Sequence, residues 1–206
     1  MPKPLHVSTE SAFLLSGVFI MLVAWVLNLM GTLSSEPGSG HGVSDVYLWL
    51  MLMFQGLAFS TVGIVSSKYR EFTVNPNLAK RYLVGFLFIA DGGLHLLALN
   101  QHLSEPSAAA FFAIVAPIQI IVGVVFPSLR GRLDPAWLLF TAFLIGAYLA
   151  TRTFAIWPIG YVEEFDPLGV LSKAVELVTV GVLLSLVRSE RVAKRDRQPV
   201  APTHGP

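Results

Sequence analysis

Six long apolar runs, separated by short clusters of Gly, Pro, Ser and charge, organise this chain of 206 residues. They cover about 12–33, 46–67, 81–103, 107–128, 135–156 and 168–188. Each is close to the roughly 20 residues that a helix needs to cross a bilayer. The run that starts at Ala12 is longer than the roughly 7–15-residue core of a signal peptide, and no small-residue cleavage site follows it, so it is expected to be the first span. Pro106, Pro135 and Pro167 stand at or near helix starts, where the missing N–H costs nothing. Pro117 falls inside the fourth run and is expected to kink it, which membrane helices tolerate when neighbours satisfy the freed carbonyl. The pattern predicts an all-α polytopic membrane protein: a six-helix transmembrane bundle over residues 1–190 and a basic, disordered cytoplasmic tail over 191–206. No internal repeat relates residues 1–104 to 105–190, so inverted transporter-like halves are not indicated.

Charge adds direction. Of 14 Lys and Arg residues, 12 lie in the N-terminal segment (Lys3), the second connection (Lys68, Arg70, Lys80, Arg81), the fourth (Arg130, Arg132) and the tail (Arg188, Arg191, Lys194, Arg195, Arg197). The first, third and fifth connections have none. Under the positive-inside rule both termini are cytoplasmic, N-in and C-in, in the cell membrane. Only 13% of residues are charged, against about a quarter in soluble domains. The bilayer is therefore the first partner, with further membrane subunits or a homo-oligomer as additional ones, and no nucleic acid is expected. With no cysteine in the chain, disulfides, thiolate metal sites, cysteine nucleophiles and iron–sulfur clusters are excluded.

The remaining two cations, Arg152 and Lys173, lie within spans, as do Asp91, His95 and Glu176. Such groups cost several kcal/mol in a bilayer unless paired or hydrated, so they face the bundle interior. At ~1.5 Å per residue, His95 and Glu176 share a level ~12 Å below the outer end of the bundle, Asp91 lies deeper, and Lys173 and Arg152 lie above. By depth, Asp91–Lys173 and Glu176–Arg152 are the expected pairs. On the third span Asp91, His95, Ala98, His102 and Glu105 fall in one stripe roughly 80° wide. It leads to an outer loop holding Glu163, Glu164 and Asp166, with His41 in the first connection on the same side. Asn28, Gln55 and Gln119 are further polar candidates, and Gly92 and Gly93 would let a neighbouring backbone approach.

Four functions suit this stripe. The plainest is helix–helix glue through buried hydrogen bonds and ion pairs, as in a structural or accessory subunit. The sharpest is a metal site: His102 and Glu105 share a face, and Glu163, Glu164, Asp166 or His41 would complete a mixed N/O shell for zinc, iron, manganese or oxidised copper. His95 lies ~10.5 Å along the axis from His102. With Asp91, Glu176 and Lys173 it would form a proton relay or an outer network, while Arg152 orients the loop carboxylates. A b haem would need an imidazole from outside the third span. Proton-coupled transport would use the same relay, although the cytoplasmic half is dry. A retinal-binding Lys173 would call for seven spans rather than six. Whether the chain is an enzyme is left open by these residues.

Residues 90–188 resemble a group of prokaryotic six-span membrane proteins with no assigned function. The shared features are HLLALNQHLSEP (His95, His102, Glu105), Gln119, TRTFAIWPIG (Arg152, Pro158, Gly160) and, after an acidic loop, DPLGVLSKAVEL (Gly169, Glu176). The resemblance implies that these residues act as one constellation and brings no reaction, cofactor or partner with it. Lys173 departs from the group, which argues against a metal-only site on the last span.

Overall fold

The computed structural model describes residues 7–34, 42–155, 162 and 164–196. Six α-helices make up nearly all of them: α1 (Thr9–Ser34), α2 (Gly42–Val74), α3 (Pro76–Gln101), α4 (Pro106–Val125), α5 (Asp134–Thr153) and α6 (Pro167–Asp196). Two short 3-10 turns, Phe126–Ser128 and Gly131–Leu133, join α4 to α5. All six helices contain a stretch long and apolar enough to cross a membrane. No strand occurs among the described residues.

Two predicted boundaries move. The connection expected at 68–80 is almost entirely helical: α2 runs to Val74, Asn75 intervenes, and α3 starts at Pro76. The polar segment has no helix breaker before Asn75, and Lys68 bonds Glu71 one turn on at 2.7 Å. The Asn75 side chain then caps α3 by accepting from the Leu78 N–H at 3.2 Å, with Pro76 in the first turn where its missing donor is harmless. At the other end α6 continues to Asp196, so residues 191–196 of the expected disordered tail are helical. Residues 197–206 lie outside the described part.

α3 is the central and most buried span. It packs against α2, α4 and α6, while α1 pairs mainly with α2 and α5 with α6. Small residues permit these approaches. A Cβ on Gly85 would stand 2.6 Å from the Gly123 carbonyl oxygen and one on Gly123 the same distance from Gly85 O, so α3 and α4 meet backbone to backbone. A Cβ on Gly92 would lie 2.9 Å from Ala116 O, whereas Gly93 faces the Met53 thioether of α2. Next to Asp91, then, α4 and α2 close on α3 from two sides.

The basic end of the bundle is locked. The Arg81 guanidinium donates to both oxygens of buried Asp134, at 2.9 and 3.1 Å, and to the carbonyls of Leu129 (2.6 Å) and Phe126 (3.2 Å). Beside it, Phe88, Val122, Phe126 and Leu183 form a dry core on which Trp137 packs. At the opposite end the arrangement loosens: no Cα of α4 comes within 8 Å of one of α5. A cavity fills the space between them.

Candidate functional site

The cavity measures about 220 Å³ and is walled by α3, α4, α5 and α6. Its walls are largely apolar, from Leu94, Ala98, Phe111, Phe112 and Leu144. Polar groups enter at two levels. Arg152, Asp166 and His102 lie toward the chain connections, and His95, Ser172 and Lys173 lie deeper.

At the upper level Asp166 caps α6 by accepting the Gly169 N–H at 2.6 Å and receives Arg152 Nη2 at 3.1 Å. Arg152 also donates to Glu164 O (3.1 Å) and Thr151 Oγ1 (2.8 Å), and its guanidinium lies 4.2 Å from the centre of the Tyr148 ring. Arg152 thus ties the end of α5 to the start of α6 and holds Asp166. His102 lies just beyond the last residue of α3 and Glu105 just before the first of α4; they bond each other at 3.3 Å. The His95 and His102 rings both lie against Phe112, at centroid distances of 5.6 and 5.3 Å.

The deeper level is a connected hydrogen-bond network. Asp91 Oδ2 accepts from Gln119 Nε2 at 2.5 Å and Asp91 Oδ1 accepts from Ser172 Oγ at 2.6 Å. Gln119 Oε1 lies 2.6 Å from His95 Nδ1. This order fixes the imidazole. An ionised carboxylate only accepts, so Gln119 must turn its NH₂ to Asp91 and its carbonyl to His95. His95 Nδ1 then carries a proton, and in the neutral ring Nε2 keeps its lone pair. That nitrogen lies 4.0 Å from Glu176 Oε1, too far for a hydrogen bond. Glu176 Oε1 bonds Lys173 Nζ, and Glu176 Oε2, fully buried, has no hydrogen-bond partner among the described residues.

The expected pairs exchange partners. Lys173 joins Glu176 rather than Asp91, because the two stand three residues apart on one helix face. Arg152 joins Asp166 rather than Glu176, because Asp166 caps the adjacent helix start beside the end of α5. The predicted mouth ligands are not assembled into one site: among the described residues, the group of His and carboxylate side chains with convergent ligand atoms is Asp91, His95 and Glu176, within 4.8 Å of one another. His102 and Glu105 bond each other, Asp166 is held by Arg152, and Glu164 contributes its carbonyl to Arg152. Glu163 and His41 lie outside the described residues. Ser172 was not singled out by the sequence, since a serine in an apolar helix carries no positional signal. Phe112 and Tyr148 were likewise not singled out by the sequence, because an aromatic in an apolar helix carries no positional signal. No family model, curated protein or solved structure matches the chain.

Proposed function

We propose that this protein is a multi-pass protein of the cell membrane, with both termini cytoplasmic, that holds a ligand pocket in the outer half of the bilayer over a proton-exchanging His/carboxylate floor. The observation that carries this is the imbalance of the deep cluster. Two carboxyl groups, Asp91 and Glu176, share this space with one ammonium, Lys173, and one imidazole, His95, so a single proton decides whether the cluster is charged or neutral. Glu176 Oε2 and His95 Nε2 are both acceptors without a donor. A buried charge of this kind is costly and is retained where it is used. One proton entering this space supplies a missing donor. Orientation is supported by the 12 basic residues at the N-terminus, the second and fourth connections and the tail.

The chain has no cysteine, so introduced thiols report without background. Thiols at Thr151 and Ala98, both lining the cavity, are expected to react with a small impermeant reagent added outside intact cells, Thr151→Cys faster. Ser189→Cys, near the other end of α6, is expected to react only after permeabilisation. Inert Ala98→Cys and Thr151→Cys, or outside labelling of Ser189→Cys, would overturn the pocket or the orientation respectively.

A second reading is a transition metal at the same floor. The convergence of Asp91, His95 and Glu176 within 4.8 Å favours it, together with a histidine whose Nε2 is presented as a ligand by Gln119. Lys173 opposes it, since its ammonium occupies Glu176 Oε1. The set suits zinc, iron, manganese or copper through mixed N/O ligation, whereas a haem macrocycle exceeds the cavity. Metal analysis of protein purified without chelators separates the readings. Near one equivalent, lost in His95→Ala, establishes the metal, and metal-free wild-type protein removes it.

A further inference from the structure

We infer that the pocket takes a membrane-dissolved hydroxyaromatic compound of the hydroquinone class, entering from the bilayer between α4 and α5 and presenting a ring hydroxyl to His95 Nε2. This rests on the pocket reading above and names its ligand.

The route follows from the packing. α4 and α5 form two walls of the cavity without touching backbone to backbone, so the cavity is bounded there by side chains alone. Two of the wall residues are only a methyl group long, Ala108 on α4 and Ala147 on α5. The outer faces of the same helices are apolar and exposed, through Ile114 and Ile118 on α4 and Phe143 and Leu149 on α5. A solute already dissolved in the lipid meets no charge on this path. A water-borne ligand would instead have to pass the Arg152–Asp166 pair.

Size limits the headgroup. An apolar cavity of roughly 150 Å³ accepts one benzene ring, and this one measures about 220 Å³. A single substituted ring fits, with its alkyl or isoprenoid tail left between the helices. Wall chemistry selects an aromatic ring, since Phe111, Phe112 and Tyr148 offer edges and faces for stacking.

The floor selects the substituent. Lys173 and Arg152 are both engaged by carboxylates, so a phosphate or carboxylate headgroup would have to displace an existing ion-pair partner to gain a cation. An ammonium headgroup would meet Lys173. A neutral hydroxyl meets neither objection and supplies what the floor lacks, a donor for the lone pair of His95 Nε2. Gln119 and Asp91 hold the tautomer that makes this nitrogen an acceptor, so the preference for a donor is built in before the ligand arrives.

The test uses the full chain in lipid nanodiscs with 2-decylhydroquinone and its dimethyl ether, which share ring and tail and differ in the hydroxyl donors. Thermal unfolding is followed as each is titrated. The hydroquinone is expected to raise the midpoint in a saturable way, with at least tenfold more ether needed for the same rise. Ala147→Trp, which fills the entrance without touching the floor, is expected to abolish both responses; Ala108→Phe does the same from the opposite wall if the first variant folds poorly. His95→Phe keeps a ring in place and is expected to equalise the two compounds. Equal potency of both compounds on the wild type, abolished by Ala147→Trp, overturns the ligand class and leaves the pocket intact. A response that survives both wall variants overturns the binding site. No saturable response to either compound also overturns the proposal, while thiol labelling of Ala98→Cys reports independently on the pocket.

Discussion

Two charged clusters are buried along α3, one at its start and one in its second half, and they are built on different accounts of donors and acceptors. At the basic end Arg81 meets Asp134 and two carbonyls. The charge sums to zero, both carboxylate oxygens are occupied, and the ring of Phe126 lies under the guanidinium at 4.8 Å. At the other end Asp91 and Glu176 put two carboxyl groups beside one ammonium, Lys173, one carboxyl oxygen has no partner among the described residues, and a cavity adjoins them. The first cluster is complete in itself and joins the starts of α3 and α5 to the turn between α4 and α5. The second is complete only on its Asp91–Gln119–Ser172 side. Both clusters bury charged side chains, so burial of charge alone does not distinguish a lock from a site. The unfilled acceptors do.

This contrast can be broken at either end. The largest effect is expected from Arg81→Ala, which leaves Asp134 buried with no counter-charge and should cost about 3–5 kcal/mol of unfolding free energy. Adding Asp134→Asn should recover part of that loss. A loss below about 1 kcal/mol in reversible unfolding from mixed micelles would dissolve the distinction. Gln119→Leu comes next. It strips Asp91 and His95 of a shared partner and should cost about 1–3 kcal/mol. ¹⁵N spectra of labelled histidine should then show His95 losing its single Nδ1–H tautomer, and an unchanged spectrum would deny Gln119 its orienting role. Glu176→Gln should move stability by less than about 1 kcal/mol in either direction, because supplying an amide donor at the unpartnered Oε2 position offsets the weaker bond to Lys173. A cost above about 3 kcal/mol would place Glu176 with Asp134 as part of a lock. The smallest change is expected for His102→Ala at the half-exposed rim, within about 0.5 kcal/mol.

Much of the frame was legible in the pattern of apolar runs, because bilayer length and helix rise leave little freedom. The exceptions are instructive. Residues 68–80 read as a loop on polarity alone, yet polarity only removes a segment from lipid and says nothing against a helix in water. Arg81 read as a topology marker, and its basic character hid a structural partner 53 residues on, in Asp134. For the site, the stripe of Asp91 and His95 and the level of Glu176 followed from helical geometry, and these three do converge. Their partners did not follow. Depth arithmetic cannot tell Lys173–Glu176 from Lys173–Asp91, since the choice depends on rotation about the helix axis. The gathering of His102 and Glu105 into a shared ligand set with the loop acids assumed one continuous face, but α3 stops at Gln101 and the chain turns before Glu105.

The separation of α4 from α5 has a thermodynamic consequence. α5 is held backbone-close by α6 and by the short turn before it, and it has no such contact with the rest of the wall. Anything lodged in the gap becomes the contact that these two helices otherwise lack. Occupancy should therefore slow amide hydrogen exchange first in the half of α5 from Leu144 to Arg152, ahead of α3, whose packing is already complete. The half of α5 next to Asp134, pinned by Arg81, should hardly respond, so that one helix holds both the reporter and its internal reference.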